Sequence, residues 1–523
     1  MKNKYIIFFL LIFYFFFQLP TLDYGTKIND IDYIKNHYLD EKIIKDFIEK
    51  KKIKKKSNID TDENWIYRYK LYSINADEVN SIMGLSKIDL KNKKFDPQVY
   101  KYGGAFIYPL GFYFYTLNKL NVLENINSES ILKNEKLIDE IYFYGRFFVL
   151  ICFILSCYFL YKSLIIFSNK TNSLILSSIY LFAPGSIIYS QVMKPHWYGL
   201  LWVNLSIFFA LKYIKQDPKN YYLIYLSIFL GLAVGSNLAF LPFYIFLIFS
   251  LFFLDKENNL NFKKLSYLVL CSFLVFILTN PYILINFSNF FLEANNEYSW
   301  VLKGFNFKNT LLFFNTSYIQ GFGVLLSLIT IFYSINEFKK KGVHNKKIIF
   351  GAYFLFLFGS AVGSYALWHI QFRYIPYILP ISIIFLSYKL KNKNKNLLIF
   401  VLIISIMQSL PLKIAYFDEN NNKFSTRLNS AKWINNEIIS KKRILCKTDP
   451  SPYYYPPIDF KNAIIKKECE FEVFVLREPK KIKNYENVVK KFRPRFQFSQ
   501  IPLVYSHINP LIIISKKPNN KSW

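Results

Sequence analysis

The chain has 523 residues, of which 53% are hydrophobic and 20% aromatic. Apolar runs of about 17–25 residues recur along it, the length that a helix needs to cross a bilayer. The formal charge of +31 does not predict nucleic-acid binding, because membrane proteins collect Lys and Arg in their cytoplasmic loops and the composition is biased toward Lys, Asn, Ile, Phe and Tyr. No soluble domain needs so many apolar runs, so the sequence predicts an all-α polytopic transmembrane bundle.

Eleven apolar segments predict the spans of a helical bundle. The first, 1–20, has a basic start and no small-residue cleavage signature, so we interpret it as a retained signal anchor, with a cleaved signal peptide as the alternative. A long polar segment, 21–140, follows it. The multi-span part, 141–413, contains the other predicted spans: 141–167, 173–192, 197–214, 220–236, 238–254, 266–286, 310–334, 348–366, 374–389 and 397–413.

The positions of the lysines predict which side each loop faces. With a cytoplasmic N-terminus, the inner turns are lysine-rich and lie at 168–172, 215–219, 255–265, 335–347 and 390–396. The short outer turns hold only Lys194 and Arg373, as the positive-inside rule requires. The loop 21–140 and the tail 414–523 therefore face outward, toward the periplasm of a bacterial inner membrane.

The tail 414–523 is predicted to be a small extracytoplasmic α/β domain. It is polar and Pro-rich, and the runs "FEVFVL" (471–476) and "PLIIIS" (510–515) are typical of strands. Cys446 and Cys469 would share the oxidising compartment. A disulfide and two free thiols both remain open at this point, and no CxxC pair predicts a metal site.

Polar residues that could carry chemistry collect on the predicted outer face, while the spans are nearly free of charge. They are Asp77 and Glu78 in the first loop, then Arg146, Lys194, His196, His369, Arg373 and Tyr374 at span ends. Such a set suits the transfer of a sugar from a lipid phosphate. A carboxylate would remove the proton of the acceptor hydroxyl, and an arginine would bind two oxygens of the leaving phosphate.

Two other outer features have simpler interpretations. The aromatic run 102–115, which contains Tyr108, could stack on sugars, but an amphipathic helix lying in the headgroup region is the favoured interpretation. Glu293 and Glu297, after the seventh span, are expected to be solvated.

Several motifs together resemble the glycosyltransferase C superfamily. "ADEVNSIMGL" (76–85) and "YGGAFIYPLGFYFY" (102–115) are similar to its first outer loop, and "FRYIPYILP" (372–380) is similar to a span entry. The branch that they resemble is family 39, the protein O-mannosyltransferases and their bacterial relatives, which include aminoarabinose transferases. Two departures are the single proline at Pro109, where the family has two, and Asn237, where a lysine is common.

The resemblance implies a polyprenyl-phosphate sugar donor, an inverting mechanism and a role for each candidate residue. Asp77 would be the base, and Glu78 would position the acceptor or the base. The donor phosphate would be bound by Arg373, Lys194, His196 and Arg146, and further substrate contacts would come from His369, Tyr374 and Tyr108. The acceptor can be a protein, a lipid or a glycan. No cofactor is implied, no cluster with ligand spacing predicts a metal site, and a divalent ion is left open.

Two rival functions remain. A transporter or lipid flippase would show internal repeats, broken helices and polar groups at mid-membrane, none of which the sequence predicts. A polysaccharide polymerase or ligase would share the outer site but use a diphosphate-linked glycan.

Overall fold

The computed structural model describes residues 2–26, 71–75, 77–126, 130, 134, 136–215, 218–254, 261–301, 320–339, 376–390, 394–446, 455–476, 487–496 and 508–517. The chain divides into two compact units. The first comprises Met1–Leu19, Asp96–Tyr113 and Arg146–Leu410. The second comprises Pro20–Phe95, Phe114–Gly145 and Pro411–Trp523, so it combines residues of the first loop with those of the tail.

Helices dominate the described residues. In chain order they are α1 (Lys2–Gln18), α2 (Val79–Leu85), α3 (Gly104–Lys119), α4 (Leu137–Leu164), α5 (Lys170–Phe182), α6 (Pro184–Tyr189), α7 (Pro195–Lys215), α8 (Asn220–Ser236), α9 (Leu241–Leu254), α10 (Phe262–Thr279), α11 (Pro281–Ile285), α12 (Phe287–Val301), α13 (Gln320–Phe322), α14 (Val324–Lys339), α15 (Ile378–Leu390), α16 (Lys395–Glu419) and α17 (Thr426–Ile434). The strands are β1 (Ile444–Cys446), β2 (Ile464–Lys466), β3 (Phe471–Leu476), β4 (Val488–Phe492) and β5 (Leu511–Lys516).

Several predicted spans appear as single helices. Within the described part of the chain, α4, α7, α10 and α16 are long and apolar enough to cross a bilayer. The predictions at 197–214 and 220–236 coincide with α7 and α8, which pack against each other. Helix α16 continues past the predicted end at 413 to Glu419. The predicted span 348–366 and part of 310–334 lie outside the described residues.

Two predicted spans are interrupted, which corrects the expectation of unbroken helices. The segment 173–192 divides where Ala183 adopts an extended conformation and Pro184 begins α6. The segment 266–286 divides at Asn280, and Pro281 begins α11. Proline is favoured in the first turn of a helix, where its missing N–H is not needed, but it cannot continue a helix that precedes it without losing a hydrogen bond. Each proline therefore starts a new helix.

Helix α1 is joined to the core of the first unit by polar side chains. The Tyr14 hydroxyl is buried, lies 3.1 Å from the Ser190 hydroxyl and donates to the Ser186 carbonyl at 3.3 Å. The Gln18 amide donates to the Tyr14 hydroxyl at 2.9 Å and to the Ile187 carbonyl at 3.3 Å. Buried polar groups are stable only when hydrogen-bonded, so these contacts hold α1 to α6 and to the turn after it.

Two glycines allow the start of α3 to approach the ends of α8 and α10. The Gly103 N–H donates to the Ser236 carbonyl at 3.0 Å. The Gly104 N–H donates to the Asn280 side chain at 2.7 Å, and the same amide donates to the Gly235 carbonyl at 3.1 Å. A Cβ on Gly103 would lie 1.8 Å from the Gly235 oxygen. The segments "YGG" (102–104) and "GLAVGSN" (231–237) thus meet in one junction that has no room for a side chain.

The second unit contains a five-stranded sheet of order β2-β1-β3-β5-β4. Strand β1 is parallel to β2 and β3, and β5 is antiparallel to β3 and β4. The predicted strands at 471–476 and 510–515 are confirmed as β3 and β5. Cys446 and Cys469 form a disulfide, which settles the alternative that the sequence left open.

A buried ion pair connects the end of α16 to this sheet. Arg427 of α17 donates to both carboxylate oxygens of Glu419 at 2.8 Å, and its side chain is fully buried. The Asn509 N–H, just before β5, also donates to Glu419. The carboxylate thereby neutralises the arginine and accepts a backbone donor, so its burial is compensated.

Candidate functional site

The acid pair lies at the start of the short helix α2. The backbone carbonyl of Asp77 accepts from the Asn80 N–H at 3.2 Å and from the Asn80 side chain at 3.1 Å. Glu78 occupies the N-cap position but makes no side-chain cap hydrogen bond. The usual structural role of an acid at a helix start, that of a cap, is therefore not the role of Glu78.

Glu78 lies in a buried polar cluster. Its side chain is fully buried, and it accepts from the Tyr24 hydroxyl at 3.3 Å and from the Ser73 hydroxyl at 2.5 Å. The Tyr24 ring packs edge-on against Tyr416 of α16, with centroids 4.8 Å apart. The Leu71 carbonyl, two residues before Ser73, accepts from Tyr142 at 2.9 Å. Glu78 thus fixes the segment that carries Asp77.

The two carboxylates differ in accessibility. Asp77 is half-buried, whereas Glu78 has no exposed surface. A group that exchanges a proton with a substrate must be reachable by that substrate. Of the pair, Asp77 is therefore the one whose side chain a substrate can reach.

We expect Tyr24→Phe to lower the free energy of unfolding by about 2 kcal/mol, because it removes one hydrogen bond to a buried carboxylate while keeping the ring that packs on Tyr416. Thermal unfolding of the purified chain in detergent measures this. Tyr115→Phe, at a tyrosine of the same unit that is 47% exposed, is the matched control and should change little. Equal shifts in the two variants would contradict the role assigned to Tyr24.

The candidate cations of the first unit are buried. Arg146 lies on α4, and Lys194 and His196 flank Pro195 at the start of α7; their exposed fractions are 1%, 2% and 5%. Each has interactions within the structure. Buried cations persist only when charges or dipoles compensate them, so simple anchoring at a membrane interface does not describe their setting. His369, Arg373 and Tyr374 lie outside the described residues.

Tyr108 lies on α3 within the first unit, beside a cavity of about 10 Å³ that Tyr100 and Asn280 also line. That volume holds about one water molecule. Burial, more than the neighbouring phenols and the Asp96 carboxylate, raises the pKa of Tyr108. Tyr108 is therefore a protonated hydrogen-bond donor at neutral pH. The prediction of a helix over much of 102–115 is confirmed by α3.

Sequence reasoning missed a polar cluster next to this cavity. The Tyr100 hydroxyl donates to Asp96 at 3.0 Å, and the Asn286 side chain donates to the same carboxylate. The Tyr100 N–H donates to Glu293 at 2.8 Å. The expectation that Glu293 is merely solvated is therefore wrong: it is half-buried and fixes the loop before α3. Burial and the two carboxylates raise the pKa of Tyr100 to about 12.

The second unit contains another buried basic side chain that the sequence analysis did not single out. Lys413 of α16 is 7% exposed and donates to the Thr21 hydroxyl. Its one sequence signal was a lysine at the end of an apolar span. Among the residues that the structure describes, no group of three or more His, Cys, Asp or Glu side chains could hold a metal ion.

Neither a protein-family model nor a curated protein matches this sequence. Among solved structures, the chain is similar to the crystal structure of ArnT from Cupriavidus metallidurans bound to undecaprenyl phosphate. The two share 10% identity with a TM-score of 0.42, over 79% of this chain and 88% of that chain. The helices and the sheet define the class of protein. The chain is a mostly helical, multi-pass membrane protein with a small C-terminal sheet.

Proposed function

We propose that the chain is an integral-membrane glycosyltransferase. It transfers a sugar from a polyprenyl-phosphate donor to an acceptor on the extracytoplasmic face of the membrane. The observation that carries the proposal is the different burial of the two acids. Glu78 is buried and hydrogen-bonded to Tyr24 and Ser73, while Asp77 beside it is accessible. The motifs that resemble the glycosyltransferase C superfamily support the same conclusion.

The chemistry requires few groups. Asp77 removes the proton of the acceptor hydroxyl as the oxygen attacks the anomeric carbon. The bond from that carbon to the phosphate oxygen breaks on the opposite face, so the configuration inverts. The phosphate leaves as an anion and needs positive charge rather than an acid. In this proposal Arg146, Lys194, His196 and Arg373 supply that charge, and His369, Tyr374 and Tyr108 contact the substrates.

The disulfide supports the proposed sidedness. Disulfides form and persist in oxidising compartments such as the periplasm, and the Cys446–Cys469 bond lies in the tail that the lysine distribution places outside. The first loop and the tail contribute to one compact unit. A bacterial inner-membrane location, with Asp77 facing outward, is consistent with both observations.

Incubation of membranes containing the chain with radiolabelled polyprenyl-phosphate sugars tests the proposal. We expect label to move from the lipid fraction to a protein, lipid or glycan fraction. Membranes without the chain are the control. A parallel set of polyprenyl-diphosphate glycans tests the polymerase or ligase alternative. Absence of transfer from every monophosphate donor would contradict the proposal.

One observation favours a second candidate, a transporter or lipid flippase. Transporters use discontinuous helices and intramembrane polar groups. The segments around Pro184 and Pro281 are interrupted, and Asn204 donates to the Ser156 hydroxyl at 2.8 Å inside the first unit. Flipping of a fluorescent polyprenyl phosphate in proteoliposomes, without any transfer of sugar, would support this alternative over the enzyme.

A further inference from the structure

The second unit contains a pocket that none of the roles above uses. It has a volume of about 270 Å³ and is formed by the turn after α1, the last turn of α16 and the residues that follow α16. Asp23 lies on one side of it, and Tyr416 and the consecutive residues Asn420, Asn421 and Asn422 lie on the other. Its size is near the lower end of the range for ligand pockets, about 300 Å³, so it suits one or two sugar rings.

The walls of the pocket are held in place by hydrogen bonds. The Asn420 side chain accepts from the Gly25 N–H at 2.6 Å and donates to the Asp23 carbonyl at 2.7 Å. The Asn421 side chain accepts from the Lys423 N–H at 2.9 Å. Asn420 thus joins the two segments that form the pocket, and Asn421 orders the turn. A pocket with fixed walls loses little conformational entropy when it binds a ligand.

Other polar groups of the pocket keep hydrogen-bonding capacity. In the described part of the chain, the Asp23 carboxylate accepts no hydrogen bond, and neither the Asn422 side chain nor the NH₂ group of Asn421 has a hydrogen-bond partner. The carboxylate accepts, while the two amides provide donors, and Asn422 also an acceptor. Sugar hydroxyls both donate and accept, so they match this mixture of groups.

The remaining features favour a neutral sugar. Phe417 lines the pocket and is 53% exposed, so its ring can cover the C–H face of a pyranose. The carboxylate of Asp23 disfavours an anionic ligand. The Asp23 carboxylate also interacts electrostatically with the side chain of Lys413.

The pocket is linked through Tyr24 to Glu78, the sequence neighbour of the candidate base Asp77. Tyr24 directly follows Asp23, its ring contacts Tyr416, and its hydroxyl donates to Glu78. We propose that this pocket binds a neutral sugar residue of the acceptor, so that the acceptor of the reaction is a glycan or glycolipid. The assignment to the acceptor rests on the proposed function, whereas the binding of a sugar does not.

Binding of disaccharides to the full chain in lipid nanodiscs tests the inference, with no donor present. Maltose, cellobiose and diacetylchitobiose are titrated while saturation-transfer difference NMR reports contact with the protein. We expect at least one of them to bind. Asp23→Ala and Asn422→Ala should each weaken that affinity by roughly tenfold, the effect of one lost hydrogen bond to the ligand.

Asn436→Ala is the matched control, because Asn436 is an exposed asparagine of the same unit outside the pocket. This variant should bind the disaccharide as tightly as the unmodified chain does. The inference is overturned if no disaccharide binds, if both pocket variants bind as the control does, or if a serine-containing tetrapeptide binds there in place of the sugars. Sugar binding without transferase activity would support the pocket as a sugar site and contradict the proposed function. Transferase activity without sugar binding would support the proposed function and contradict the sugar site.

Discussion

Asp77→Asn should abolish sugar transfer, with a loss of initial rate of roughly a thousandfold, within the range that general bases contribute. Asparagine keeps the size of the side chain and can still accept hydrogen bonds, but it cannot take a proton from the acceptor hydroxyl at neutral pH. The backbone contacts of residue 77 with Asn80 do not depend on the carboxylate. Transfer of label from a polyprenyl-phosphate sugar, normalised to the amount of chain in the membrane, measures the loss.

Asp89→Asn is the control for this substitution, because Asp89 is an aspartate of the same loop that is half-buried, as Asp77 is, and its carboxylate accepts from its own turn. It should retain full activity. Full activity of Asp77→Asn would refute the assignment of the base. If the Asp77→Asn variant is inactive and also poorly inserted, its unfolding temperature is compared with that of the unmodified chain. Only a matching unfolding temperature supports a chemical role for Asp77.

Gly103→Ala should destabilise the chain by roughly 5 kcal/mol and lower the yield of folded protein. The new Cβ would lie 1.8 Å from the Gly235 carbonyl oxygen, and backbone atoms cannot move aside as a flexible side chain would. Overpacking costs up to about 3 kcal/mol. Displacement of the segment would also weaken the hydrogen bonds of the Gly103 and Gly104 N–H groups, at about 1 kcal/mol each.

Thermal unfolding in detergent tests this prediction, and Gly104→Ala should behave similarly, since its Cβ would lie 2.0 Å from the Thr279 oxygen. Phe112→Ala, on the same helix and 71% exposed, serves as the control and should unfold near the temperature of the unmodified chain. A Gly103→Ala variant as stable as that control would show that the junction at α8 and α10 is not close-packed in the membrane.

Local sequence signals predicted much of the architecture. Long apolar runs indicated α7 and α8 to within a few residues, and runs rich in β-branched or aromatic residues indicated β3 and β5. The breaks at Pro184 and Pro281 were missed, because hydropathy averaged over a span does not register one residue that ends a helix. A proline inside an apolar run was the available signal.

The site depended on contacts that sequence spacing does not reveal. The acid pair was recognisable, but the burial of Glu78 was not, because it involves Tyr24, which is 54 positions away in the sequence. Nothing in the local pattern "LPTLDYG" connects it with that pair. Glu293 was likewise assigned to solvent because its partner, Tyr100, lies 193 positions away. Such contacts between distant residues form only in the folded chain, and the sequence around each residue does not indicate them.

The contacts of Tyr14 and Gln18 bear on how this protein can be produced. The N-terminal helix is part of the folded unit, so exchanging it for a generic apolar helix would remove the Tyr14 and Gln18 partners of the Ser190 hydroxyl. Affinity tags and reporter fusions are accordingly better attached without altering the first 19 positions.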